Sequence, residues 1–108
     1  MVAGCGRLTA HPEAIQATDA MLRGTSVPAY AACCAAIRDA DFRSSLSAIA
    51  VATLVLAGTD DPVTTPEDGR YLADNIPAAS YVELDSAHLS NVEAAEAFNT
   101  ALLDFLHA

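Results

Sequence analysis

Thr53-Leu54-Val55-Leu56-Ala57-Gly58-Thr59-Asp60-Asp61-Pro62 decides the fold of this chain. A short apolar run ends abruptly at a glycine, two acids and a proline. Residues 51–57 lack the alternation of a half-buried strand and are nearly unbroken in apolar character. Bounded by turn residues, that pattern suits a parallel strand buried on both faces. A second run, Tyr81-Val82-Glu83-Leu84-Asp85, stops just before His88. Each run therefore leads into a residue of catalytic type, an acid on the first and a histidine on the second.

Between the runs lies a helix start. Thr65 can cap, Pro66 fills the first helical position, and Glu67 and Asp68 sit at the positive end. Gly69, Leu72, Ala73 and Ile76 share one face, and Pro77 ends the helix. Ala79 to Leu84 reads as the second strand. Strand, helix and strand in about thirty residues make a βαβ unit, and such units place their strands parallel with a right-handed crossover. Glu93 to His107 follows as an amphipathic helix, with Ala94, Ala97, Phe98, Ala101, Leu102, Phe105 and Leu106 at helical spacing.

Upstream of residue 50 the chain reads as all helix, and this change is its main organisational break. Residues 1–10 have no periodicity and form a loose start. Pro12 and Glu13 open a helix whose apolar positions include Ala14, Ile15, Ala17, Met21 and Leu22, and Gly24 stops it. Thr25 or Ser26 can cap a second helix, with Pro28 near its start. Tyr30, Cys33, Cys34 and Ile37 fall on one face of it. That face reads as core, with the lining of a substrate pocket as the alternative. Asp41 is placed to cap a third short helix running to Ile49, with Phe42, Leu46 and Ile49 turned inward.

The 108 residues suffice for one domain and not two. Fourteen acids against five basic residues give a net charge of −9, scattered along the chain. That excludes a basic face for nucleic acid and argues against an anionic membrane surface. No run approaches the length of a membrane span. Three cysteines, Cys5, Cys33 and Cys34, are odd in number and lack zinc spacing. They read as buried free thiols in a reducing cytoplasm, and no cofactor or metal is expected. Val2-Ala3-Gly4-Cys5 superficially suggests a lipoprotein cleavage site, but only Met1 precedes it, so a cytoplasmic protein is expected.

Functional residues of open parallel sheets gather beyond the carboxyl ends of the strands. Adjacent strands lie about 4.8 Å apart, so the loops after the two runs can meet. An aspartate that accepts the Nδ1–H of a histidine fixes its tautomer and stabilises the imidazolium formed when Nε2 takes a proton. Asp60 and Asp61 are neighbours that point differently, so only one of them can serve His88. Each candidate has a plainer reading. Either acid could make an Asx turn before Pro62, and His88 could be an ordinary loop histidine. An Asp-Asp-His metal site lacks a convincing third ligand spacing. His11 and His107 sit at helix ends.

Gly58-Thr59-Asp60-Asp61-Pro62 with Thr65-Pro66, and Asp85-Ser86-Ala87-His88-Leu89-Ser90-Asn91-Val92-Glu93, resemble the closing segments of α/β-hydrolases. More narrowly they resemble the 3-oxoadipate enol-lactonase family, lactone hydrolases of aromatic breakdown. His11-Pro12-Glu13, Met21-Leu22 and Tyr30-Ala31-Ala32-Cys33-Cys34-Ala35-Ala36-Ile37-Arg38-Asp39-Ala40-Asp41 resemble the end of that family's helical cap. The resemblance covers roughly residues 7–107. It implies an α/β chain with a partial α/β-hydrolase fold: the end of the cap over residues 1–49, then the last two parallel strands and their helices over 50–108. It also implies Asp61 as catalytic acid, His88 as catalytic base, and a small-molecule lactone or ester as substrate. Ala52 and Ala95 stand where the family often has proline.

Such enzymes carry their nucleophile in a Gly-x-Ser-x-Gly elbow on an earlier strand. None of the serines in these 108 residues has that setting, and Ser90 lies on the wrong loop. The chain by itself is therefore expected to be inactive. Three readings follow: a piece of an enol-lactonase-like hydrolase, a half-hydrolase completed by a separate N-terminal chain carrying the serine, or a non-catalytic binding module. Two strands without the rest of a sheet would expose edges and apolar faces, from which self-association is expected.

Overall fold

The computed structural model describes residues 12–108. The expected loose start over residues 1–10, Cys5 and His11 lie outside the described residues. Helices α1 (Pro12–Gly24) and α2 (Val27–Asp39) come first, then a 3-10 helix (Arg43–Ala48). Strand β1 (Thr53–Gly58), helix α3 (Pro66–Asn75) and strand β2 (Ala79–Leu84) follow. Helices α4 (Ser90–Glu93) and α5 (Ala95–Leu106) close the chain.

The two strands pair in parallel, with Thr53 opposite Ala79 and Gly58 opposite Leu84. Strand side chains alternate between faces, and the two helices divide those faces. Gly69 of α3 lies against Val55, Ala57 and Tyr81, so α3 covers the odd-numbered positions. On the other face α5 stands over Leu54, Val82 and Leu84. A cleft of about 910 Å³ lies along that contact, with Ala97, Ala101 and Phe105 on its far wall. Leu46, Ala57, Ile76, Leu84 and Ala87 are the buried apolar residues. Burial deepens toward the carboxyl ends of the strands, where Ala57, Gly58 and Leu84 are buried.

Helix α3 starts as its sequence dictates. Thr65 Oγ1 accepts the Asp68 N–H, and Asp68 Oδ2 accepts the Thr65 N–H at 2.8 Å, a reciprocal capping box with Pro66 just inside. Ile76 caps the other end and is buried. On the α3 face, Arg70 pairs with Glu83 and lies 5.8 Å from the Tyr81 ring centroid. Tyr81 also donates to the Pro66 carbonyl at 3.1 Å. Thr65→Ala should remove the side-chain cap and lower stability by about 1 kcal/mol, read as a shift in the urea midpoint with an unchanged slope.

Several expectations are corrected. Strand β1 is not buried on both faces along its length. Thr53 to Leu56 are half-buried, because among the described residues the sheet has two strands and β1 has one paired edge. Cys33 and Cys34 are exposed rather than buried. Tyr30 and Ile37 on the same face are 56% and 77% exposed, and α2 has no buried residue. Helical spacing shows that a face is apolar but not what covers it, and no described element buries this one. Ser26, not Thr25, caps α2, accepting the Ala29 N–H.

The third short helix is present as a 3-10 helix. Asp41 does not cap it: the helix starts one residue later than expected, with Phe42 at its N-cap and no side-chain cap, and Asp41 instead accepts the Arg43 N–H at 3.1 Å and pairs with the Arg43 guanidinium. Leu46 faces inward as expected, whereas Phe42 is 71% exposed. The last helix is broken. It begins at Ser90, stops at Glu93, and resumes after Ala94, whose backbone (φ −126°, ψ 45°) is not helical. His107 caps the end of α5. Among the described residues no helix is long and apolar enough to cross a membrane.

Candidate active site

The carboxyl ends of β1 and β2 are tied together beyond the strands themselves. Thr59 N–H donates to the Leu84 carbonyl at 2.9 Å, and Asp60 N–H to the Ser86 carbonyl at 3.0 Å. The pairing of the strands thus continues into the two loops that carry the candidate residues. Gly58 makes this possible. A Cβ there would stand 2.3 Å from the Ala87 carbonyl oxygen and 2.7 Å from that of Ser86. No side chain can occupy that space while the loops remain together.

Asp61, and not Asp60, reaches His88. Its Oδ2 lies 2.9 Å from His88 Nδ1. Asp60 instead contributes its backbone N–H to the tie just described. Asp61 is buried, with 7% of its surface exposed. Its oxygens divide the work. Oδ1 accepts the Val63 N–H at 2.8 Å and the Thr64 N–H at 3.1 Å, while Oδ2 accepts the Thr64 hydroxyl at 2.7 Å besides His88. The two readings of this aspartate are therefore both realised: one oxygen makes the Asx turn, the other meets the histidine.

Burial works to raise the Asp61 pKa. The bonds from the Thr64 hydroxyl, His88 and the Val63 and Thr64 amides outweigh it and hold the carboxyl down at about 2. Asp61 is thus ionised at neutral pH and can only accept. His88 must then carry its hydrogen on Nδ1, which leaves Nε2 as the nitrogen for proton transfer. The His88 side chain is 41% exposed, so that nitrogen is not sealed off by this chain.

A carboxyl whose pKa is lower when folded than unfolded stabilises the fold above its unfolded value. It loses that contribution as pH falls through the folded value. Between the ordinary 3.8 and about 2, Asp61 should therefore cost the fold stability on acidification. Thr64→Val removes one of the bonds that lower the Asp61 pKa. Urea unfolding of both proteins across that range should show a shallower loss in the variant, starting from a lower stability at neutral pH.

Thr64 was not singled out in the sequence, although its place three residues after Asp61 is a readable signal for a loop closing on a carboxylate. Glu93 carried no assigned role beyond the closing motif. Its Oε2 accepts the Ala87 N–H at 2.8 Å, beside His88. Ser86 is fully buried. Among the described residues, no group of three His, Cys, Asp or Glu side chains could hold a metal ion.

Comparison with known proteins finds relatives of this chain. The chain is 41% identical over 91 residues to 3-oxoadipate enol-lactonase 2 of Acinetobacter baylyi, covering 84% of this chain and 34% of that protein. It superposes on the crystal structure of the enol-lactonase from Burkholderia xenovorans LB400 with a TM-score of 0.91 and 40% identity, over 94% of this chain and 39% of that one. A hydrolase from Pseudomonas aeruginosa PA01 aligns over 68% of this chain and 28% of its own, with 47% identity and a TM-score of 0.66. The chain spans about a third of the length of the curated relatives it matches. No protein-family model matches it.

Proposed function

This chain corresponds to the C-terminal portion of an α/β-hydrolase and resembles 3-oxoadipate enol-lactonase, and we propose that it supplies the acid and histidine of a serine-type lactone or ester hydrolase. In this reading Asp61 is the catalytic acid and His88 the base. Residues 1–49 form the end of the helical cap, and residues 50–108 form the closing part of the core. The nucleophile is contributed by a segment outside these 108 residues. The site belongs to a cytoplasmic enzyme acting on a small molecule.

The observation that carries the reading is the bond between His88 Nδ1 and a buried, ionised Asp61. As a serine oxygen bonds to the lactone carbonyl carbon, its proton passes to His88 Nε2, and Asp61 stabilises the imidazolium. When the ring C–O bond breaks, His88 Nε2 gives that proton to the leaving ring oxygen. His88 then removes a proton from water as the water attacks the acyl-enzyme. The acyl carbon–serine oxygen bond then breaks, the serine oxygen takes the proton from His88 Nε2, and the acid product leaves and ionises to the carboxylate. The open edges of the two-stranded sheet favour completion by further strands. Those strands could lie on the same polypeptide or on a separate chain.

The test is a chimera in which this chain replaces the matching third of the Acinetobacter enol-lactonase. Turnover of an enol-lactone by the folded chimera is expected. This chain alone should hydrolyse neither an enol-lactone nor a p-nitrophenyl ester above background. A folded chimera without turnover would overturn the reading.

A further inference from the structure

We propose that Glu93 is a positioning residue for His88, acting through the backbone amide that precedes the histidine. This rests on the reading of His88 as the base. The loop carrying His88 leaves β2 at Leu84 and enters α4 at Ser90. It is held on the strand side by the Asp60 N–H bond to the Ser86 carbonyl at 3.0 Å. On the helix side it is held by Glu93, whose Oε2 accepts the Ala87 N–H at 2.8 Å. Ala87 is buried, with 4% of its surface exposed, so water does not offer that amide an easy substitute. The two bonds hold the carbonyl and the amide of the same Ser86–Ala87 peptide group, one residue before His88. Together they set where Nδ1 meets Asp61 at 2.9 Å.

The placement of Glu93 is a poor one for stability alone. Its Oε1 is buried and, among the described residues, has no hydrogen-bond partner. A buried acceptor left unmade is costly, and more so on a charged group. Glu93 is also the last residue of α4, where the helix breaks at Ala94. The break brings the carboxylate back over the loop, instead of continuing a helix that would carry it along the sheet. The return for these costs is the bond to the Ala87 amide. A carboxylate acceptor makes that bond stronger than a neutral one would.

The test separates acceptance from charge. Glu93→Gln keeps an acceptor of the same reach and loses the charge. Glu93→Asp keeps the charge and is one methylene too short. Imidazole nitrogen NMR of this chain in mildly alkaline buffer reads the His88 tautomer directly. The wild type and Glu93→Gln should show the Nδ1–H form, and Glu93→Asp should drift toward the mixture of a free imidazole, all three with the same far-UV spectrum. In the chimera, Glu93→Asp should lower kcat about 10²-fold with KM held, and Glu93→Gln should recover most of it.

An Nδ1–H form retained in Glu93→Asp would overturn the proposal. So would its loss in Glu93→Gln, its absence from the wild type, or a variant that loses its secondary structure. By contrast, chimera turnover insensitive to His88→Ala would sink the catalytic reading of His88 and leave the tautomer result standing.

Discussion

His88→Ala in the chimera is expected to lower kcat by roughly 10⁴- to 10⁶-fold and to leave KM nearly unchanged. The size follows from what the ring does. In the proposed reading it removes the serine proton as the oxygen bonds to carbon, and it passes that proton to the leaving oxygen. Without it, only substrate binding and the oxyanion site remain to accelerate the reaction. Asp61→Asn tests the same geometry from the other side. The buried carboxylate accepts from His88 Nδ1 at 2.9 Å. An amide there can turn its NH₂ toward the ring and favour the tautomer with hydrogen on Nε2. That nitrogen is then unable to take the serine proton, and a loss of about 10⁴ in kcat is expected. Steady-state kinetics on an enol-lactone measure both. A loss below tenfold in either variant would mean that the chemistry lies elsewhere.

Among the described glycines, Gly58→Ala should have the largest effect on stability. The new carbon would stand 2.3 Å and 2.7 Å from two backbone carbonyl oxygens, those of Ala87 and Ser86. Neither is the end of a flexible side chain. Relief requires the two loops to move apart, which breaks the Asp60–Ser86 tie and lengthens the Asp61–His88 bond. A loss of about 3 kcal/mol is expected, at the upper end for overpacking. The kcat of the chimera should fall with it. Gly24→Ala is the control. Among the described residues an added carbon there has nothing within 4 Å, so stability should stay within about 0.5 kcal/mol. Gly69→Ala should fall between the two, because the Tyr81 ring at 3.0 Å and the Ala57 Cβ at 3.1 Å crowd the new carbon. Urea unfolding of the three variants ranks them.

The parts of the fold that were legible in the sequence are those that local rules determine. Thr65-Pro66-Glu67-Asp68 announced α3 because capping is a contest among neighbouring groups, and the structure shows the reciprocal bonds of a capping box. The apolar runs around Val55 and Val82 announced two parallel strands, because a helix of the right length separates them. The pairing of an acid after the first strand with a histidine after the second followed from that topology. The residues alone left Asp60 and Asp61 open. The structure separates them by the direction of the turn, with Asp61 inward and Asp60 tying the loops through its backbone.

What the sequence did not reveal depends on partners distant along the chain. Helical spacing marked Tyr30, Cys33, Cys34 and Ile37 as a face, but burial needs a second surface, and in this chain those residues are exposed. Phe42 failed in the same way. The break at Ala94 is invisible to apolar periodicity, which runs through it. It becomes understandable only once Glu93 is seen bonded to the Ala87 amide. Thr64 and Glu93 support the site through one hydroxyl and one carboxylate, groups whose use is decided by three-dimensional proximity.

In the proposed reading the chain holds the acid and base of a serine hydrolase whose nucleophile lies on another segment. Labelling with a fluorophosphonate that acylates only activated serines measures this most directly, with the modified residue located by peptide mass spectrometry. The chain alone should remain unlabelled. The chimera should be labelled at the elbow serine of its other portion, and the labelling should be lost in His88→Ala. Label on one of this chain's own serines, or labelling of the elbow serine that survives His88→Ala, would contradict it.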